Sequence, residues 1–132
     1  YMENVLEKVL YILSLSDFHE NMSLKGIRRL IIPPLKLEQY RVYEDQDVPL
    51  CFVSWGMFSD IASEGYRTGV RKIQGDDWNS GNNFWIVDVA CPFGGAFKAM
   101  KRIDKVRKNL NLPSKVNFLR GKQKRFGNVQ RI

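Results

Sequence analysis

One acid lies where acids are rarely found. Asp88 interrupts the run Phe84-Trp85-Ile86-Val87-Asp88-Val89-Ala90. A carboxylate inside an apolar strand is costly unless it is paired, and perturbed acids gather at functional sites. Asp88 is therefore either a satisfied core acid or half of a catalytic pair. His19 is the sole histidine of the chain, and an imidazole can take a proton near neutrality. Alone it would read as a structural or surface residue. Paired with Asp88 it would have its tautomer fixed and its charged form stabilised. Cys51 and Cys91 lie in apolar runs with no histidine nearby in sequence. They read as reduced core residues, and a cysteine nucleophile is the weaker reading. One histidine, two cysteines and no CxxC spacing leave no metal site to expect.

The elements that must position these residues follow from periodicity and breakers. Val5, Leu6, Val9, Leu10, Ile12 and Leu13 have helical spacing over 4–15, with His19 at or just past the helix end. A short helix is expected over 23–31, broken by Pro33 and Pro34. Residues 39–43 and 48–55 read as two strands around a polar turn, Glu44 to Asp47. Ser59 is a good N-cap for a helix reaching Ile73, weakened by Gly65 and Gly69. Residues 75–83 read as a loop and 84–90 as a buried central strand. A helix over 96–110 would turn Phe97, Met100, Ile103, Val106 and Leu110 to the core, before Pro113 and a last strand over 115–119. Mixed helices and strands with an early hairpin imply an α+β fold, an α/β sandwich, in one domain over 1–132 with a basic C-terminal tail. Neither GxGxxG nor GxxxxGK[ST] occurs.

At 132 residues, 44% hydrophobic and 27% charged, the composition is that of a globular domain. No apolar run approaches the roughly 20 residues of a membrane span, and no signal peptide is evident, so the chain reads as cytoplasmic. The net charge of +7 is unevenly spread. Residues 1–97 carry nine Lys/Arg and 13 Asp/Glu, a balance of −4. Residues 98–132 carry 12 Lys/Arg and only Asp104, a balance of +11. Such asymmetry implies an anionic partner or a solvated face. Trp55, Trp78 and Trp85 lie away from the basic segment, so they read as core or pocket walls rather than stacking platforms for bases.

The stretch Trp78-Asn79-Ser80-Gly81-Asn82-Asn83-Phe84-Trp85-Ile86-Val87-Asp88-Val89-Ala90-Cys91-Pro92-Phe93-Gly94 resembles the signature of the RTX toxin-activating lysine acyltransferases. That signature is W-x-S-G, an apolar W-[FI]-x-D strand, then P-F-G. Ser16-x-x-His19, Pro33, Gln39-Tyr40, Pro49-x-x-Phe52-x-Ser54-Trp55 and Tyr66 are similar to further family elements, in the same order. Val89 and Cys91 depart from the family pattern.

The resemblance implies a GNAT-like acyltransferase fold with a mixed, mainly antiparallel sheet flanked by helices. It implies transfer of a fatty acyl chain from acyl carrier protein to internal lysines of an RTX protoxin, and a homodimer. His19 and Asp88 match the catalytic pair and Ser16 the supporting serine, while Trp55, Trp78, Ser80, Gly81, Trp85, Pro92, Phe93 and Gly94 are the motif or acyl-groove positions. No permanently bound cofactor and no nucleic acid is expected. Carrier proteins are acidic, so Lys98, Lys101, Arg102, Lys105 and Lys108 are the expected docking cations. A small basic nucleic-acid-binding module and a GNAT-like acetyltransferase of a small amine are the competing classes. The first would explain the basic segment but not Asp88.

Overall fold

The computed structural model describes residues 2–119; the basic tail beyond them lies outside the described residues. The fold is α+β, with helices on a four-stranded mixed sheet of order β1-β2-β3-β4. Helix α1 spans Met2–Ser14, α2 Leu24–Leu30 and α3 Ile32–Lys36. Strands β1, Tyr40–Asp45, and β2, Val48–Phe58, form the hairpin. Its two-residue turn places Gln46 and Asp47 at φ 48° and 66°, as the twist of a tight hairpin requires. Helix α4 spans Asp60–Thr68, β3 Asn83–Ala90, α5 Ala96–Asn109 and β4 Val116–Phe118. Strand β3 runs antiparallel to β2, and β4 joins it in parallel.

Several local expectations are corrected. Pro33 and Pro34 open a new helix, α3, rather than only ending α2. The first turn of a helix has no use for their missing N–H groups. Helix α4 stops at Thr68, well short of Ile73, because Gly69 takes a left-handed φ of 77° and caps it. Strand β2 continues past Trp55 to Phe58. On α5 the buried positions are Ala99, Ile103 and Arg107. Phe97 is 73% and Leu110 53% exposed, so the apolar stripe is narrower than its spacing implied. Arg107 is buried one turn beyond Ile103, its guanidinium donating to Asp104 Oδ1 and the Pro113 carbonyl.

The two sheet faces carry different cores. On one, Val9, Ile12 and Leu13 of α1 pack with Ile31, Leu35, Phe52 and Ala90. Beside them Phe58, Trp78, Trp85 and Val87 pack with Ala62 of α4 and Ile73. On the other, Val53, Trp55, Met57, Phe84 and Ile86 meet Ala99 and Ile103 of α5. Burying each large apolar side chain contributes about 1.5–3 kcal/mol, so α1 and α5 are each held firmly on the sheet.

Strand β3 does not alternate regularly between these faces. Ser54 pairs with Asp88 but Trp55 pairs with Ile86, so Val87 is an extra residue, a β-bulge. Regular alternation would put Asp88 on the α5 side with Phe84 and Ile86. The bulge moves it to the α1 side, with Ala90.

Candidate active site

Helix α1 ends in a series of tight turns. The Ser16 N–H donates to the Leu13 carbonyl, and the N–H groups of His19 and Glu20 both donate to the Ser16 carbonyl, at 2.9 and 2.8 Å. This winding puts Ser16 and His19 on one side. Because Ile12 and Leu13 are buried against the sheet, that side faces β3.

The outcome is a buried polar chain. Ser16 Oγ lies 2.6 Å from His19 Nδ1. His19 Nε2 lies 2.9 Å from Asp88 Oδ1, across 69 residues of sequence. Ser16 is 7%, His19 5% and Asp88 1% exposed. A neutral imidazole carries one N–H. Asp88 accepts it at Nε2, which leaves the Nδ1 lone pair to accept the Ser16 hydroxyl proton. A protonated imidazole would donate at both nitrogens, to Asp88 and to the Ser16 oxygen. The chain can therefore hold a proton on the ring or pass one through Ser16, with a carboxylate to stabilise the charged ring.

The tryptophans of the sequence motif lie elsewhere, in packed clusters. Trp78 and Trp85 are 0% and 1% exposed and meet Phe58 in edge-on and stacked contacts. The Trp85 indole N–H donates to Ser63 Oγ at 2.9 Å. Trp55 lies on the α5 face, with the Arg41 guanidinium over its ring. Ser80 pins a corner: its hydroxyl donates to the Asp77 carbonyl and accepts the Ser59 N–H. Gly81 runs so close to β2 that a Cβ would sit 2.6 Å from the Phe58 carbonyl oxygen. Pro92, Phe93 and Gly94 form the turn that leads into α5, with Phe93 58% exposed. An open cleft of about 440 Å³ is lined by Glu7, Lys8, Tyr11, Asp47, Val48 and Pro49, none of them in the Ser16–His19–Asp88 chain.

Two residues gained roles that spacing did not assign. Gln39 is buried and its amide donates to the carbonyls of both Trp55 and Trp78, clamping β2 to the loop before β3. A buried amide at the edge of a strand was the available signal. Ser54 lies opposite Asp88, fully buried; a lone hydroxyl between Val53 and Trp55 was its signal.

Cys51 is buried and Cys91 half-buried, and both are free thiols. Burial, reinforced by the neighbouring Cys51 thiol, pushes the Cys91 thiol far above its ordinary value, which keeps it protonated and unreactive. Lys98, Lys101, Arg102, Lys105 and Lys108 are all exposed on α5. Lys101 lies over the Phe97 ring and Arg102 over Tyr43. Asp104 pairs with Arg107 and Lys108, and the Arg107 hydrogen bond holds its carboxyl below the usual range. No described helix is long and apolar enough to cross a membrane.

This fold and buried serine–histidine–aspartate chain sit in a sequence that a model of the RTX toxin acyltransferase family matches over residues 1–132. The chain belongs to that family. It is 30% identical over 91 residues to the RTX-II toxin-activating lysine-acyltransferase ApxIIC of Actinobacillus pleuropneumoniae, covering 69% of this chain and 57% of that one. It is 26% identical over 126 residues to the leukotoxin-activating lysine-acyltransferase LktC of a Pasteurella haemolytica-like species, covering 96% and 74%. The lysine-acyltransferase RtxC of Vibrio cholerae is 30% identical over 111 residues, covering 81% and 71%. The chain spans little more than half the length of several curated relatives it matches.

Proposed function

We propose that this chain is a protein-lysine acyltransferase that moves a fatty acyl group from acyl carrier protein to internal lysines of an RTX protoxin, and so activates it. The observation that carries the reading is the buried Ser16–His19–Asp88 chain, in a member of a family whose named relatives are toxin-activating lysine-acyltransferases. Acyl carrier protein is a substrate in this reading, and no resident cofactor is part of it.

The chemical problem is a lysine amine, with an ordinary pKa of about 10.4, that must attack a thioester while mostly protonated. Asp88 accepts the Nε2 proton and keeps the Nδ1 lone pair available. Ser16 Oγ, 2.6 Å from Nδ1, is the proposed relay between the ring and the amine. It gives its hydroxyl proton to Nδ1 as it takes one from the amine. The freed nitrogen bonds to the thioester carbon and gives its surplus proton to solvent, the C–S bond breaks, and the carrier thiolate leaves, taking up the proton from the imidazolium. Positioned proton transfer of this kind contributes about 10²–10⁴-fold. In a two-step variant Nδ1 itself attacks the thioester and an acyl-imidazole then meets the lysine. An acyl group on His19, trapped without protoxin, separates the two routes.

The exposed cations of α5, Lys98, Lys101, Arg102, Lys105 and Lys108, are the proposed docking face for the acidic carrier. Complementary charge there would act mainly on the rate of encounter. Exposed Phe93 and Phe97 add apolar area at the start of the same helix.

The deciding experiment incubates the chain with acyl-loaded carrier protein and an RTX protoxin and maps acylated lysines by mass spectrometry. The wild-type chain acylates and His19→Ala does not, with unchanged circular dichroism. Wild-type turnover by His19→Ala would overturn both routes.

A further inference from the structure

Ser54 is 0% exposed. Its hydroxyl oxygen has no hydrogen-bond partner among the described residues. It lies on central strand β2, directly opposite Asp88 of β3. The bulge at Val87 turns Asp88 to the face that Ser54 shares with Phe52. Buried hydroxyls in native proteins are almost always hydrogen-bonded. Directly opposite side chains have Cβ atoms only about 4.5–5.5 Å apart, so one rotation about χ1, or one buried water, brings this hydroxyl to the carboxylate. Full burial closes it to substrate.

We propose that Ser54 is a positioning residue of the active site, its hydroxyl donating to the Asp88 carboxylate so that Oδ1 stays aimed at His19 Nε2. The bond is charge-assisted and lies in a low-dielectric interior, where such bonds are strongest. Ser54 acts through Asp88 and touches no reacting atom. The proposal rests on the His19–Asp88 pair having the catalytic role given above.

The test compares wild type with Ser54→Ala, Ser54→Cys and Ser54→Thr. Cysteine nearly keeps the size of serine but is a weak donor, whereas threonine keeps the hydroxyl. His19 is the only histidine, so its ring N–H signal in nitrogen-15 NMR is unambiguous and needs no substrate. In Ser54→Ala and Ser54→Cys that signal should move upfield and exchange faster with water. Their kcat should fall about tenfold, the order expected for one hydrogen bond to a charged group, with KM within about twofold. Ser54→Thr should retain the wild-type signal and most of kcat. Should the alanine variant fail to fold, the cysteine variant decides. An unmoved ring signal and unchanged kcat in Ser54→Cys, with at most a lower melting temperature, would make Ser54 a packing residue and overturn the proposal. Absence of acylation by wild type would count against the proposed function and leave the ring-proton result standing.

Discussion

His19 and Asp88 lie 69 residues apart in sequence and 2.9 Å apart in space, and a single extra residue in β3 brings them together. Val87 bulges out of the ladder between the pairs Trp55–Ile86 and Ser54–Asp88. Without it the aspartate would point at α5, away from the imidazole in the turns that follow α1. The bulge is thus part of the site as much as the side chains are.

Asp88→Asn separates charge from shape. The amide fills the same space but does not stabilise an imidazolium. Turnover should fall at least about tenfold. Unchanged turnover with lower stability would make Asp88 a core acid and nothing more.

Ser16→Ala tests the relay. Its hydroxyl is 2.6 Å from Nδ1, so its loss removes the proposed relay and leaves the imidazole in place. Acylation should slow about tenfold and less than in His19→Ala. Equal rates for wild type and Ser16→Ala in single-turnover transfer would reduce Ser16 to a hydroxyl at the end of α1.

Gly81→Ala concerns the fold rather than the chemistry. A Cβ there meets the backbone of Phe58 and Ser59 at 2.6 Å, and backbone cannot rotate away. Overpacking of this kind costs about 1–3 kcal/mol, readable as a lower denaturant midpoint. The His19 ring signal should stay in place in the folded fraction. A midpoint equal to wild type would show that the turn after Trp78 can shift freely.

The α5 surface predicts a salt effect. Reversing Lys98, Arg102 and Lys105 to glutamate should slow acylation at subsaturating carrier protein. Rising salt should weaken the wild type more than the reversed form, because exposed charges are screened over about 8–10 Å. Identical salt slopes would mean that this helix is a solvated face and the carrier docks elsewhere. Strong, salt-sensitive binding of DNA or RNA, with His19→Ala unaffected, would favour the nucleic-acid-binding class instead.

Much of this protein was legible in its residues alone. The spacing of Val9, Ile12 and Leu13 made α1 a helix, and the apolar run around Trp85 made β3 a buried strand, because such periodicities are local properties of the chain. Asp88 stood out because burying an acid is costly wherever the strand lies. The ordered motifs pointed to the family that the whole-chain match then established. Other features depended on what each element packs against. Phe97 has the spacing of a core residue and lies 73% exposed, because α5 meets the sheet through Ala99 and Ile103. Pro33 and Pro34 read as an end and became a beginning, because a proline suits the first turn of a helix as well as the break before it. Above all, no local pattern announces a bulge: the register of β3 is set by the partners on β2, and a shift of one residue exchanges the faces of the strand. The sequence therefore carried the chemistry of histidine and aspartate, while only the packing of α1 and the irregular ladder of β2 and β3 decided that they would meet.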